Sequence, residues 1–131
     1  MTSQVRRPWI GVDLDGTLAH YEKWLGWITI GPAIPRMLAR VKEWLVEGKE
    51  VRIFTARVAP EEDVCWITGQ RFTRQEIVEA VHLWCEANGL PRLPVTHEKD
   101  AQMIELWDDR CVQVVPNTGM TLREYEELNR A

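Results

Sequence analysis

Long apolar runs are missing from this chain of 131 residues. None approaches the roughly 20 residues that a membrane-spanning helix needs, so no membrane partner is expected. The opening residues, Met1 to Arg7, are polar and no apolar stretch of signal-peptide type follows them, so no secretory leader is expected. Cysteine is scarce: three residues, at 65, 85 and 111, odd in number and without metal-type spacing. That argues against a disulfide framework and predicts reduced thiols in the cytoplasm. His20, His82 and His97 form no ligand pattern. Neither sign of charge dominates, with 16 basic against 20 acidic residues and a net charge of −4. No basic run or stripe marks nucleic acid as an obligatory partner. Repeats, low-complexity tracts and linkers are also lacking. One domain spanning 1–131 is predicted, long enough to bury a core without disulfides or a structural metal.

What the chain does contain is an alternation of short apolar runs and helical patterns. The runs at 9–13, 51–54 and 104–107 read as buried parallel strands. Cys111 to Val115 is a further strand candidate, and Leu93 to Thr96 a weaker one. Residues 33–47 place Ile34, Met37, Leu38, Val41 and Leu45 at helical steps and stop at Gly48. Residues 74–88 open with the capping-box pattern Thr73-Arg74-Gln75-Glu76 and close at Gly89. A short last helix is predicted to start at Thr121-Leu122-Arg123-Glu124 by the same signal. Strand alternating with helix predicts an α/β fold, a Rossmann-like three-layer α/β/α sandwich with a mainly parallel sheet. Seven tryptophans are many for this length, and core filling is expected to account for most of them. His82, on a predicted helix, is expected to be structural, and Glu61-Glu62-Asp63 a solvated loop or helix start.

Asp13-Leu14-Asp15-Gly16-Thr17 follows the first apolar run. Residues two apart on a strand share a face, so two carboxylates arrive together at a strand end. A carboxylate can attack phosphorus and form an acyl phosphate. Its neighbour can give a proton to the leaving oxygen and later take one from water.

With the following Leu18, this stretch resembles the first motif of the haloacid dehalogenase superfamily, whose largest branch is Mg-dependent phosphatases. Three further motifs have counterparts in order: Thr55 in Val51-Arg52-Ile53-Phe54-Thr55-Ala56-Arg57, then Lys99, then Asp108-Asp109 closing Ile104-Glu105-Leu106-Trp107. The resemblance spans roughly residues 9–117. It implies Asp13 as nucleophile and Asp15 as general acid/base. The second Asp points to phosphoryl chemistry, because the dehalogenase branch lacks it. Lys99 is implied to neutralise charge on the phosphoryl group, and Thr55, with Ala56 and Gly16, to hold its oxygens. The implied cofactor is Mg²⁺, held by Asp13 and Asp108, by the backbone carbonyl of Asp15, and by Asp109 directly or through water. The cap domain common in the superfamily has no room here. Neither the stretch after Thr17 nor that from Val58 to Glu98 can hold an independent unit beside its predicted elements, since such units need about 40 residues.

The expected activity is phosphomonoester hydrolysis through an aspartyl-phosphate. Alternatives are a phosphotransferase using the same intermediate, disfavoured because a capless site admits water, and a metal- or phosphate-binding regulatory protein without turnover. An open site suits a large substrate, such as a nucleic-acid end or a phosphoprotein. It equally suits a small one, such as a nucleotide, closed off by a neighbouring subunit of a homo-oligomer. Arg57 is placed either against substrate or at the surface, and Arg110 against a carboxylate. Trp24 and Trp27 lie in the loop after the first motif, where core packing is the first expectation and a stacking surface for substrate the second. His20 lies close to the same motif.

Overall fold

The computed structural model describes residues 7–64 and 68–130. In chain order the elements are β1 (Trp9–Asp13), α1 (Pro35–Val46), β2 (Glu50–Phe54), a 3₁₀ turn (Ala56–Val58), β3 (Glu62–Val64), β4 (Arg71–Thr73), α2 (Arg74–Ala87), β5 (Val95–Thr96), β6 (Met103–Trp107) and α3 (Leu122–Leu128). The main sheet has the order β5-β2-β1-β6 with every pair parallel. The chain is therefore α/β, a parallel sheet flanked by helices. β1 lies between two strands, and its first four residues are all buried, as expected of a continuous apolar strand in a parallel sheet.

The two long helices follow their local signals. Pro35 supplies the fixed φ that suits a helix start, and Gly48, at φ +82°, ends α1. Thr73 and Glu76 complete a capping box on α2. Ile10, Val12, Val51 and Ile53 share one sheet face, given the pairing of β1 with β2, and join one core with Met37, Val41 and Trp44 of α1 and Val81 and Cys85 of α2. Trp9 and Trp44 are buried, and Trp107 meets Trp44 edge-on at 5.1 Å. Much of the tryptophan thus fills core. Trp66 and Cys65 lie outside the described residues.

Three local expectations change. β6, expected to be buried, closes one edge of the main sheet and is partly exposed, with Ile104 facing solvent. Cys111 to Val115 is not a strand beside β6. Its backbone is taken up in a turn, with Val115 N–H donating to Met120 O at 2.9 Å and Leu122 N–H to Gln113 O at 3.2 Å. Asn117 turns that corner at φ +63°, and Pro116 has no N–H to offer a sheet. Glu61-Glu62-Asp63 is neither solvated loop nor helix start. Residues 62–64 pair antiparallel with Arg71–Thr73, an Arg71–Glu62 ion pair at 2.7 Å spans the two strands, and Phe72 is buried against Val58 and Ile77. Three acidic residues in a row carry no alternation, so the strand is visible only through its partner. Among the described residues, the two stretches where a cap would be inserted hold only loops, this hairpin, α2 and the two-residue strand β5. No helix among the described residues is long and apolar enough to cross a membrane.

Candidate active site

The first motif folds as a tight turn because its two leucines go inward. Leu14 and Leu18 are fully buried. The Leu18 N–H donates to Asp13 O at 3.2 Å and the Ala19 N–H to Leu14 O at 2.8 Å. Asp13, Asp15, Gly16 and Thr17 are left less buried on the outer side of the turn. Gly16 has φ +94°, a conformation that favours glycine. A Cβ there would stand 2.5 Å from Asp109 Oδ2, so the missing side chain is the space the Asp109 carboxylate occupies. The Thr17 hydroxyl lies 3.3 Å from both Asp13 Oδ2 and Asp109 Oδ1 and can donate to either.

β1 and β6 are adjacent, so their C-terminal ends deliver Asp13 and Asp108 side by side. Oxygens of Asp13, Asp108 and Asp109 all lie within 4.8 Å of one another. The Arg110 N–H donates to Asp108 Oδ1 at 2.8 Å and fixes that carboxylate. Burial pushes the Asp13 carboxyl up to about 7, and the negative charges of Asp108, Asp109 and Asp15 add to it. Three carboxylates with convergent hard oxygens, one of them resisting ionisation, fit a divalent cation such as Mg²⁺. The Cys111 thiol is also held up, by desolvation and then by Asp108 and Asp13, so a thiolate nucleophile is disfavoured there.

Beside this cluster is a cavity of about 440 Å³. Asp13, Asp15 and Asp108 form its acidic side, Thr55, Ala56 and Arg57 come from the end of β2 and the 3₁₀ turn, and Tyr21, Trp24, Trp27 and Phe54 supply an aromatic wall; Arg110 also reaches it. The site lies at the carboxyl ends of the strands, where open parallel sheets take ligands. Thr55 is buried. Its N–H donates to Thr96 O at 2.8 Å, and its Oγ1 accepts from the Arg57 N–H at 3.2 Å. The hydroxyl proton is left to donate.

Arg57 is neither a surface residue nor a free substrate contact. It is 3% exposed, and all five of its guanidinium N–H groups are used. Nε and Nη2 donate to the two oxygens of Asp15, each at 2.8 Å. Nη1 donates to the carbonyls of Gly26 and Trp27 at 3.0 and 2.7 Å, and Nη2 also donates to Thr29 O at 2.9 Å. The guanidinium lies 4.6 Å from the Trp24 ring centre, and Trp24 meets Trp27 edge-on at 4.8 Å. Residues 19–33 form a closed loop whose ends pair at Ala19 and Ala33. The Trp84 indole N–H donates to Gly31 O at 2.8 Å and ties that loop to α2. Arg57 holds the middle of the loop over the cavity.

The fold thus brings Asp13, Asp15, Thr55, Ala56 and Asp108 to one cavity and sets Gly16 and Asp109 beside it. Lys99 is exposed on the loop between β5 and β6 and is not among the cavity's lining residues. The Arg110 side chain forms no ion pair among the described residues. His20 pairs with Glu22 at 3.0 Å and is not among the residues lining the cavity of about 440 Å³, and His82 bonds Leu93 O. Neither the clamp made by Arg57 nor the lining by Tyr21 and Phe54 was anticipated from the sequence. The available signal for Arg57 was its place two residues after Thr55, where one 3₁₀ turn brings the side chain back toward the first motif.

No family model and no curated protein matches this chain. It is similar in fold to the solved structure of a conserved protein from Bacteroides thetaiotaomicron, with a TM-score of 0.52 and 19% identity over 96% of this chain and 94% of that one.

Proposed function

We propose that the chain is a Mg-dependent phosphomonoester hydrolase of the haloacid dehalogenase type, working through an aspartyl-phosphate on Asp13. The observation that carries this is the convergence of Asp13, Asp108 and Asp109 beside a cavity that Thr55 also lines. Asp13, Asp108 and Asp109 would hold the Mg²⁺ through their carboxylates, and Asp15 through its backbone carbonyl. Bound there, Mg²⁺ offsets the charge of the carboxylates and of the phosphoryl oxygens.

Asp13 attacks phosphorus, the bond from phosphorus to the leaving oxygen breaks, and that oxygen takes a proton from Asp15. Water then attacks the same phosphorus, gives its proton to Asp15, and the acyl phosphate bond to Asp13 breaks, releasing phosphate. Thr55 and the backbone of Ala56 and Gly16 hold phosphoryl oxygens, and the open, capless site admits the water that the second step needs. Each Asp15 oxygen accepts one hydrogen bond from Arg57 and keeps a second lone pair on which the proton can be carried. Lys99, exposed on the loop between β5 and β6, would neutralise charge on the phosphoryl group. A reducing, cytoplasmic setting agrees with the free thiols of Cys85 and the exposed Cys111.

The bidentate Asp15–Arg57 pair favours one second reading, a metal- and phosphate-binding protein without turnover in which Asp15 is structural. Phosphate release from an aryl phosphate by chelator-treated protein, with and without added Mg²⁺, separates the two. Mg-dependent release that disappears in Asp13→Asn supports hydrolysis. Calorimetric Mg²⁺ and phosphate binding without release supports the second reading.

A further inference from the structure

Tyr21, Trp24, Trp27 and Phe54 line the cavity beside the acidic cluster, and hydrolysis by itself has no use for them. Tyr21 is 37% exposed, and Trp24, Trp27 and Phe54 are half-buried, so their packing leaves ring surface uncovered. Three of the four sit on the 19–33 loop, and Arg57 holds that loop by three backbone carbonyls. Trp24 is further held by the guanidinium and by the edge of Trp27. Trp24 and Trp27 are therefore held in place before any ligand arrives. Grouped aromatic surface left in water marks a binding site, and the ligand that matches it is flat and π-rich, since such rings stack on aromatic side chains whatever their identity. The cavity volume of about 440 Å³ lies in the range of small-molecule sites, roughly 300–1,000 Å³. Cationic lining is sparse. Arg57 has no donor to spare, which leaves Arg110. One phosphoryl group at the metal cluster is provided for, and a chain of phosphates is not.

Resting on the hydrolase reading, we propose that the substrate is a phosphomonoester whose leaving alcohol carries a flat aromatic ring system. In size and chemistry it is a nucleoside monophosphate, its base against the aromatic wall and its phosphoryl group at Asp13.

The test uses the full chain with Mg²⁺. It compares kcat/KM for adenosine 5′-monophosphate, glucose 6-phosphate, glycerol phosphate and a 5′-phosphorylated oligonucleotide, and follows binding of the first by calorimetry in Asp13→Asn. The nucleotide should exceed the sugar phosphate by about tenfold or more, the size of one stacking contact. Tyr21→Ala and Trp24→Leu should each shrink that ratio, chiefly through KM. Tyr21→Ala removes an exposed ring and keeps the test open if Trp24→Leu fails to fold. Equal kcat/KM for the three small esters, or variants that slow all of them alike, would overturn the proposal while leaving hydrolysis standing. An oligonucleotide preferred tenfold over the mononucleotide would overturn it too. Nucleotide binding that weakens in Tyr21→Ala, with no ester hydrolysed, would support the aromatic wall and remove the hydrolase reading. A nucleotide neither bound nor cleaved would remove the proposal.

Discussion

The carboxylate of Asp15 and the guanidinium of Arg57 meet side-on, through two hydrogen bonds of 2.8 Å, across 42 residues of chain. The pair joins the first motif to the loop that walls the cavity. It lies largely out of solvent, with side-chain exposures of 19% for Asp15 and 4% for Arg57. Five hydrogen bonds and a ring contact therefore depend on one side chain.

Arg57→Ala should be among the most destabilising single changes in the chain. Removing one partner of a buried ion pair costs about 3–5 kcal/mol, because the other charge is left without compensation. For a chain of this size that lowers Tm by about 10 °C or more. Arg57→Lys should fall between the two, since an ammonium keeps the charge but has three donors in place of five. Thermal denaturation of the three proteins gives the order directly. A shift of under about 1 kcal/mol for Arg57→Ala would mean that the pair behaves like a surface one.

Asp13→Asn should abolish turnover, as an amide is a poor nucleophile, and should also change stability in a pH-dependent way. The Asp13 carboxyl goes from an ordinary 3.8 to about 7 in the fold. Between those values the folded metal-free protein holds a proton that the unfolded chain has lost. Stability is therefore lost as pH rises through that window, and the penalty is complete above it. The amide of the variant carries no charge at any pH in this range. In chelator at pH 8 the variant should melt higher than the wild type, and the gap should close toward pH 4. A difference in Tm between variant and wild type that stays the same from pH 4 to pH 8 would show that Asp13 is not held above its usual range.

Asp15→Asn should have two effects. Loss of a carboxylate oxygen breaks the side-on pair with Arg57, so Tm should drop by several degrees. If Asp15 is also the base for the second step, an activated aryl phosphate should leave one phosphoryl group on the peptide containing Asp13, seen by mass spectrometry after acid quench. A label on a Ser, Thr or His would reassign the nucleophile. Destabilisation with unimpaired hydrolysis would leave Asp15 with the structural role alone.

Gly16→Ala probes the carboxylate cluster while keeping all of its acidic residues. The added Cβ would come within 2.5 Å of Asp109 Oδ2 at a φ of +94°. The left-handed backbone alone costs about 1–2 kcal/mol, which the fold should survive. The Asp109 carboxylate must move, so the Mg²⁺ concentration for half-maximal activity should rise by about tenfold, the size of a lost supporting contact at a metal site. Unchanged Mg²⁺ dependence would place Asp109 outside the ligand set.

Mg²⁺ should activate chelator-treated protein and raise its Tm, whereas Ca²⁺ should inhibit. Ca²⁺ takes six to eight oxygens at longer distances and tends to grip a carboxylate with both. An Asp13 held that way cannot attack. Equal rates with either ion, measured by phosphate release, would contradict this.

The elements that read correctly from sequence are those whose signals are local. β1 is a continuous apolar run, α1 has its periodic stripe and terminal glycine, and α2 and α3 have complete capping boxes at Thr73 and Thr121. Each depends on residues within a turn or two along the chain. The motif carboxylates are legible for the same reason, because a strand end and a following turn place them.

Pairing and burial are different, because they depend on residues far away in sequence. Glu62–Val64 is a strand only because Arg71–Thr73 lies beside it, and Cys111 to Val115 is none because Met120 and Leu122 close a turn onto it. Lys99, identified by order among the motifs, sits on a loop whose direction the order does not set. Trp24 and Trp27 carry helix-neutral, core-like chemistry, and only the loop around Arg57 turns them toward a cavity. The sequence by itself determined β1, β2, β6, the three α-helices and the acidic pairs. Which cation faces Asp15, and which rings face the cavity, was decided by tertiary contacts, since an arginine with five donors can be satisfied only where the fold brings five acceptors together.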